Sequence, residues 1–394
     1  MFLKFKVIKR EKRKKVFVVS TVPDTLELIL LPILFFLKQE YDVYIVSSDR
    51  KRTRALADQE GVKSLCIPMK RKISPLYDCF SLVWAFLIFL WYRPVIVHSY
   101  TPKAGLVSML ASWAAFVPIR VHTFTGLVFS SCEGLKKMVL IFCDRLVCLF
   151  STNVVPESLG VKRELLDHGF PERKMVMIGS GNVVGVDMDH YRPASSACLD
   201  GAEIIKSYSK KDRFLFCFVG RINKDKGIEE LVTALSNMPS DVDLLLVGDV
   251  DDTNPPPSEI MEAIKRSPRI FPVGFKSDIR AYVLFSDVFV LPSYREGFPN
   301  VLLQAYSMGK PAIVSDVHGA NEITLDRVNG WVVPVRDADA LREAMMEARN
   351  IGKDRLKEMG RAARAIVLKR HERRSHMKKV MSFYNDLLRG HDLL

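Results

Sequence analysis

The sequence predicts an α/β protein of two doubly wound, Rossmann-like domains with a cleft between them. Short β-branched runs alternate with longer helical segments, and the alternation repeats in the second half. The 394-residue length also exceeds what one core ordinarily serves. In the first half "KKVFVVST" (14–21), "YDVYIVSS" (41–48), "RPVIVHSY" (93–100), "IRVHTFTG" (119–126) and "TNVVPES" (152–158) read as strands. Segments 24–39, 76–92 and 102–116 read as the helices among them. These strands lack polar alternation, the pattern of a parallel sheet covered on both faces. In the second half the strands are 213–221, 242–249, 269–275, 286–293 and 311–317, alternating with "KGIEELVTALSNM", "DIRAYVLF", "NVLLQAYSMG" and "DADALREAMMEARN". The stretch 179–201, rich in Gly, Ser, Asp and Pro, reads as a linker. The expected domains are therefore 1–183 and 184–370, with a helix over 371–394 packing back on the first. Ligands of such folds bind at the C-terminal ends of the strands.

The formal charge of +13 is unevenly placed: residues 1–180 carry +12, residues 181–360 carry −5 and residues 361–394 carry +6. A basic surface serves nucleic acid, anionic lipid or acidic small molecules. The opening "MFLKFKVIKREKRKK" has eight Lys/Arg and one acid in fifteen residues, without the apolar core of a secretory signal. No recognised nucleic-acid-binding module accompanies it, so nucleic acid is not expected as a partner. Seven cysteines without a CxxC pair read as buried free thiols of a reducing compartment. No run reaches the roughly 18 to 20 apolar residues of a membrane span. The nearest, "CFSLVWAFLIFLWY" (79–92), is either a buried core helix or an interfacial anchor ending in Trp-Tyr-Arg. A cytoplasmic protein, peripheral on an anionic membrane surface, is expected.

Two motifs carry chemistry. In "FVGRINKDKGIEEL" (218–231) a strand ends at Gly220, a loop holds Arg221 and Lys226, and Gly227 opens a helix. Two cations beside a helix N-terminus suit a diphosphate, or are simply a solvated loop. In "REGFPNVLLQA" (295–305) Glu296 precedes a helix whose first amides belong to Asn300, Val301 and Leu302. That carboxylate either accepts bonds from a ligand's hydroxyls or caps its own helix. "GDVDD" (248–252) groups acids without a partner cluster, so no metal site is expected.

Together "FVGRINKDKG", "LLLVGD", "PVGFKSDIRAYVLFSDVFVLPSYREGFPNVLLQA", "GKPAIVSDVHGANEI" and "VNGWVV" resemble the retaining GT-B glycosyltransferases of family four. The resemblance covers nearly the whole chain. In the first half "IVHSYTPKAGL" and "RVHTFTG" resemble the branch that acts on lipid-linked oligosaccharides in bacterial capsule or cell-surface polysaccharide assembly. The resemblance implies transfer of a hexose or N-acetylhexosamine, with retention, from a nucleotide sugar, most simply a UDP-sugar. The implied acceptor is a polyprenyl-diphosphate-linked glycan, and neither cofactor nor metal is implied. It assigns Arg221 and Lys226 to the donor diphosphate, Glu296 to the sugar hydroxyls and Gln304 to the nucleotide ribose. Gly220, Phe275, Asn300 and Val301 complete the implied donor contacts, and His122 becomes the donor-site histidine. His98 and Lys103 fall on the acceptor side.

The chain departs from the family pattern twice. The loop "STVPDTLEL" after the first strand has no glycine, the first glycine being Gly61, and Pro299 stands where many relatives have glycine. Two rival readings are a nucleotide-sugar epimerase on a similar frame and a non-catalytic basic scaffold.

Overall fold

The computed structural model describes residues 13–70, 74–193, 208 and 213–393. Most of the basic opening stretch, residues 194–201 of the expected linker and Cys198 lie outside the described residues.

Two six-stranded parallel sheets form the frame. The first contains β1 (Lys15–Val19), β2 (Asp42–Ser47), β3 (Lys63–Cys66), β4 (Ile96–Ser99), β5 (Ile119–Phe124) and β6 (Asn153–Pro156), in the order β3-β2-β1-β4-β5-β6. The second contains β7 (Phe214–Val219), β8 (Val242–Val247), β9 (Ile270–Gly274), β10 (Val288–Leu291), β11 (Ala312–Ser315) and β12 (Gly330–Val333), in the order β12-β11-β10-β7-β8-β9. Both orders are the doubly wound 3-2-1-4-5-6 arrangement, the second written from its other edge. The strand order therefore reverses between β1 and β4 in one sheet and between β7 and β10 in the other, and those points are where the ligand crevice of such a sheet lies.

The described chain divides into two compact units. One comprises Met1–Thr123, Phe142–Val154 and Met381–Leu394; the other comprises Phe124–Ile141 and Val155–Val380. Segments 124–141 and 155–183, assigned by sequence to the first domain, thus count with the second unit. The Arg373–Arg389 helix ends in the first unit, where the Tyr384 hydroxyl bonds His98 Nδ1 at 2.6 Å and Tyr41 donates to Asn385 at 2.8 Å. The basic tail is two helices, Lys353–Arg370 and Arg373–Arg389. At the break between them His371 accepts a backbone bond from Val186, and Val186 in turn accepts one from Arg373.

Local chemistry explains several details that patterns alone leave open. The expected 24–39 helix contains a π-turn at Leu26–Leu30 before Leu31–Glu40. Pro32 has no N–H for the Leu28 carbonyl and its ring would crowd it, and the wider turn relieves both problems. The glycine-free loop after β1 is held by hydroxyls: Thr21 and Thr101 Oγ1 atoms lie 2.7 Å apart, and Thr101 Oγ1 also accepts from the Thr21 amide at 2.9 Å. Part of the expected linker is packed rather than free. Val183, Val184, Val186 and Met188 are buried, and Asn182 Oδ1 accepts from the amides of Val184 and Gly185.

The Pro75–Tyr92 helix is not a core helix. Only a stripe at Ser81, Ala85 and Phe89 is buried, while Leu76, Phe80, Val83, Trp84, Leu87, Leu90 and Trp91 are exposed, Trp91 to 84%. At 18 residues it is long and apolar enough to cross a membrane by length and composition, which corrects the expectation that no segment qualifies. The thiols are also less uniformly buried than expected: Cys148 and Cys217 are buried, but Cys79 is exposed.

Two buried histidines near the break in the C-terminal helices give a pH-dependent stability. Burial, and then their mutual repulsion, pushes His371 down to about 3; burial pushes His376 down to about 4. The unfolded chain takes up those protons near pH 6.5, so it binds more protons than the folded chain below that pH. Their contribution is complete above pH 6.5 and is lost as pH falls towards 4 and 3. Urea midpoints measured from pH 7 to 4 are expected to fall, and His376→Gln is expected to flatten part of that slope.

Candidate active site

The crevice of the second sheet is built by the two loops that leave β7 and β10. After β7 the chain turns at Gly220, runs through a short 3-10 turn at Lys224–Lys226 and enters the Ile228–Ser236 helix at Gly227. Gly227 has φ +64°, and a Cβ there would lie 2.0 Å from the Pro292 carbonyl oxygen. Only glycine lets this loop press against the end of β10. That approach brings Lys226 Nζ to 2.5 Å from Glu296 Oε1, with both side chains largely buried. The neighbouring pair, Asp225 with Arg295 at 2.8 Å, ties the same two loops a second time.

A pocket of about 610 Å³ opens over this pair. One side is formed by Arg221, Asn223, Asp225, Lys226 and residues 294–297. The rest comes from the 125–127 loop, Ser130, the Leu159–Asp167 helix and residues 316–318. All of these belong to the second unit. The wall bearing Glu296 is a crossing of bare backbone. A Cβ on Gly297 would lie 2.5 Å from Glu157 Oε2 and 2.6 Å from the Gly126 amide nitrogen.

The expected site residues divide into groups. Arg221, Lys226 and Glu296 line the pocket together, Arg221 reaching Asp251 at 2.7 Å with its side chain two-thirds exposed. Gly220 follows β7 directly, at the turn into the same loop. Asn300 and Val301 open the Asn300–Ser307 helix, where their amides have no carbonyl one turn back. Pro299 is the N-cap and supplies no amide; the Asn300 side chain is held by Asn182 at 2.8 Å. Gln304 is half-buried on the same helix. Phe275 is exposed after β9, its amide bonded to Asp249 at 2.9 Å. The acids of "GDVDD" serve such bonds: Asp251 receives Arg221, Asn223 and Thr253. Among the described residues no group of three or more His, Cys, Asp or Glu is arranged to hold a metal ion.

His122, His98 and Lys103 belong to the first unit. His122 Nδ1 bonds Ser99 Oγ at 2.8 Å, its ring lies against Gly105, and burial pushes it down to about 3, so it is neutral. His98, expected to face a ligand, is buried with both ring nitrogens occupied: Nδ1 by Tyr384 and Nε2 by Thr123 at 2.7 Å. Its place is structural, because a histidine at a strand end next to the C-terminal helix finds hydroxyls there before solvent. Lys103 bonds both oxygens of Asp78, at 2.8 and 3.1 Å.

Sequence reasoning missed three groups near the pocket. Glu157, one residue after β6, is buried; burial and then the Glu296 charge hold its carboxyl well above the usual range. Glu164 accepts from Ser130 Oγ at 2.5 Å and from His318 Nε2 at 2.9 Å. The hydrogen bond to Glu164 raises His318 above its ordinary value, against the lowering effect of burial. Burial alone would raise Glu164, but the His318 and Ser130 bonds bring it below its ordinary value. "VPES" carried a polar residue at a strand end as a signal for Glu157. Nothing in the pattern linked positions 164 and 318.

Comparisons with known proteins agree with this frame. The model for glycosyl transferases group 1 matches residues 201–366, and that for the glycosyl transferase 4-like domain matches residues 37–181. A capsular polysaccharide biosynthesis glycosyltransferase, CapM of Staphylococcus aureus, is 30% identical over 385 residues, covering 96% of this chain and 98% of its own. An Escherichia coli UDP-Gal:alpha-D-GlcNAc-diphosphoundecaprenol alpha-1,3-galactosyltransferase is 27% identical over 326 residues, covering 78% of this chain and 80% of its own. Among solved structures, Anabaena HepE in complex with UDP and glucose superposes with a TM-score of 0.79 at 18% identity, over 95% of this chain and 99% of that one. A Rickettsia africae glycosyltransferase gives 0.77 at 22% identity, over 95% and 99%. These structural likenesses establish the shared GT-B fold. With a whole-length relative at 30% identity and a family match in each half, the chain belongs to the glycosyl transferases group 1 family and is a glycosyltransferase.

Proposed function

We propose that the chain transfers a hexose or N-acetylhexosamine from a UDP-sugar to a polyprenyl-diphosphate-linked glycan in bacterial capsule, exopolysaccharide or O-antigen assembly. Transfer proceeds with retention and without a metal, at the cytoplasmic face of the membrane. The observation that carries this reading is the Lys226–Glu296 pair on the pocket wall. It sets a cation and a hydroxyl acceptor side by side at the strand-order reversal, as a sugar diphosphate requires.

An incoming diphosphate competes with Glu296 for Lys226, and with Asp251 for the exposed Arg221. Lys226 then faces the leaving phosphate and Glu296 is released to the sugar hydroxyls. The sugar C1–O bond to the diphosphate breaks while a C1–O bond to the acceptor oxygen forms on the same face. The acceptor proton passes to a phosphate oxygen, and the two cations stabilise the charge that develops there. The amides of Asn300 and Val301 stand in for the donor that Pro299 lacks. The similarity to relatives that act on diphosphoundecaprenol-linked sugars supports the acceptor class, and the exposed apolar face of Pro75–Tyr92 supports docking at a lipid surface.

The test is incubation of the purified protein with UDP-glucose, UDP-galactose and their N-acetylamino counterparts, with and without a lipid-linked glycan extract of bacterial membranes. UDP release that depends on the extract is the expected result. Conversion of the donor sugar without extract would favour the epimerase instead, and no UDP-induced rise in thermal midpoint would sink the UDP-sugar reading. Gln304 adds a finer prediction. An amide both donates to and accepts from ribose hydroxyls, whereas a carboxylate only accepts. Gln304→Glu is expected to weaken UDP binding several-fold by calorimetry; tighter binding would show that the amide is not the fitted group.

A further inference from the structure

The wall contributed by the 125–130 segment and the Leu159–Asp167 helix carries polar groups that the donor reading leaves unused. The Glu322 carboxylate caps that helix, accepting from the amides of Leu159 at 3.0 Å and Gly160 at 2.7 Å. This sets the helix rotation so that Arg163, Glu164 and Asp167 all face the pocket. Glu164 is the hub: one oxygen takes the Ser130 hydroxyl and the other takes His318 Nε2. The arrangement is rigid, because both donors are fixed by one largely buried carboxylate and His318 rests directly on Gly160. Arg163 and Asp167, one helical turn apart, are exposed and make no ion pair among the described residues. Charged groups of this kind form charge-assisted hydrogen bonds, the strong kind, with hydroxyls.

We propose that Ser130, Arg163, Glu164, Asp167 and His318 form the subsite for the terminal sugar of the acceptor glycan, a pyranose ring held by its hydroxyls. The inference rests on the donor reading above, which already gives the diphosphate to Arg221 and Lys226 and the donor sugar to Glu296. A second hydroxyl-binding surface in the same pocket is then free for the ring that supplies the attacking oxygen. Glu164 and His318 act as positioning residues, ordering Ser130 and the wall around it.

Three variants test this: Glu164→Gln, His318→Asn and Gly160→Ala. The last leaves every polar group in place, but its Cβ would lie 2.2 Å from His318 Nδ1, so the ring must swing off Glu164. Each is expected to raise the half-saturating amount of lipid-linked glycan extract about tenfold or more, the worth of a lost charge-assisted bond. The donor KM and the UDP affinity measured by calorimetry are expected to stay within about twofold, since no donor group is touched. A general loss of packing would instead lower the thermal midpoint and weaken both substrates together. An unchanged extract dependence in Gly160→Ala and Glu164→Gln, or an equal rise in donor KM, overturns the subsite. Failure of the wild-type protein to bind UDP at all overturns the underlying donor reading, and so separates the two.

Discussion

Lys226→Ala is expected to lower kcat/KM for transfer by about 10²–10³-fold, and Glu296→Ala by a similar factor, while both proteins remain folded. The figure is that of removing one preorganised electrostatic group from an active site. Stability and chemistry are separable here because the two residues are each other's partner at 2.5 Å. Either single change leaves the other charge largely buried and unpaired, which is destabilising; the double change removes both charges. The double variant is therefore expected to melt above at least one of the singles and still be inactive. Thermal midpoints and initial rates on the three proteins check this. If either single variant kept near-normal turnover, the pair would be a structural tie and the pocket would hold something other than a sugar diphosphate.

Gly297→Ala is expected to be at least as damaging, although it removes no functional group. The new methyl would sit 2.5 Å from Glu157 Oε2 and 2.6 Å from both the Gly126 amide nitrogen and the Thr125 carbonyl carbon. Two of those three contacts are backbone, so the loop bearing Glu296 must move. Overpacking of this kind costs about 1–3 kcal/mol, and a shift of about 1 Å in a catalytic group costs roughly 10²-fold in rate. Urea unfolding and kcat/KM on Gly297→Ala measure the two effects. Normal stability and activity together would show that the 125–126 and 296–297 segments are not held in contact.

Much of this was legible beforehand, and the reasons are physical. Apolar runs without alternation identified ten of the twelve strands, because a strand buried on both faces has no other composition open to it. β3, four residues with an exposed lysine, carries no such mark and escaped notice. The Arg221–Lys226 loop and Glu296 were visible because glycines and charges at strand-to-helix turns are rare without a reason. His98 was misplaced because a strand-end position says nothing about which distant hydroxyls will meet it. The Pro75–Tyr92 helix was ambiguous because an apolar helix looks alike in a core and on a surface, and only its neighbours expose or cover it.

The sequence by itself determined the two parallel sheets and the family, and it singled out the β7 and β10 loops as the place to look for chemistry. These depend on periodicity and on residue types within a few positions of one another. Only the tertiary structure decided that Lys226 and Glu296, 70 residues apart, are paired. It alone set Glu157 behind Gly297 and joined Glu164 to His318 across 154 residues. Such contacts depend on strand order and on glycines that let backbones cross, and neither leaves a local signature in the chain.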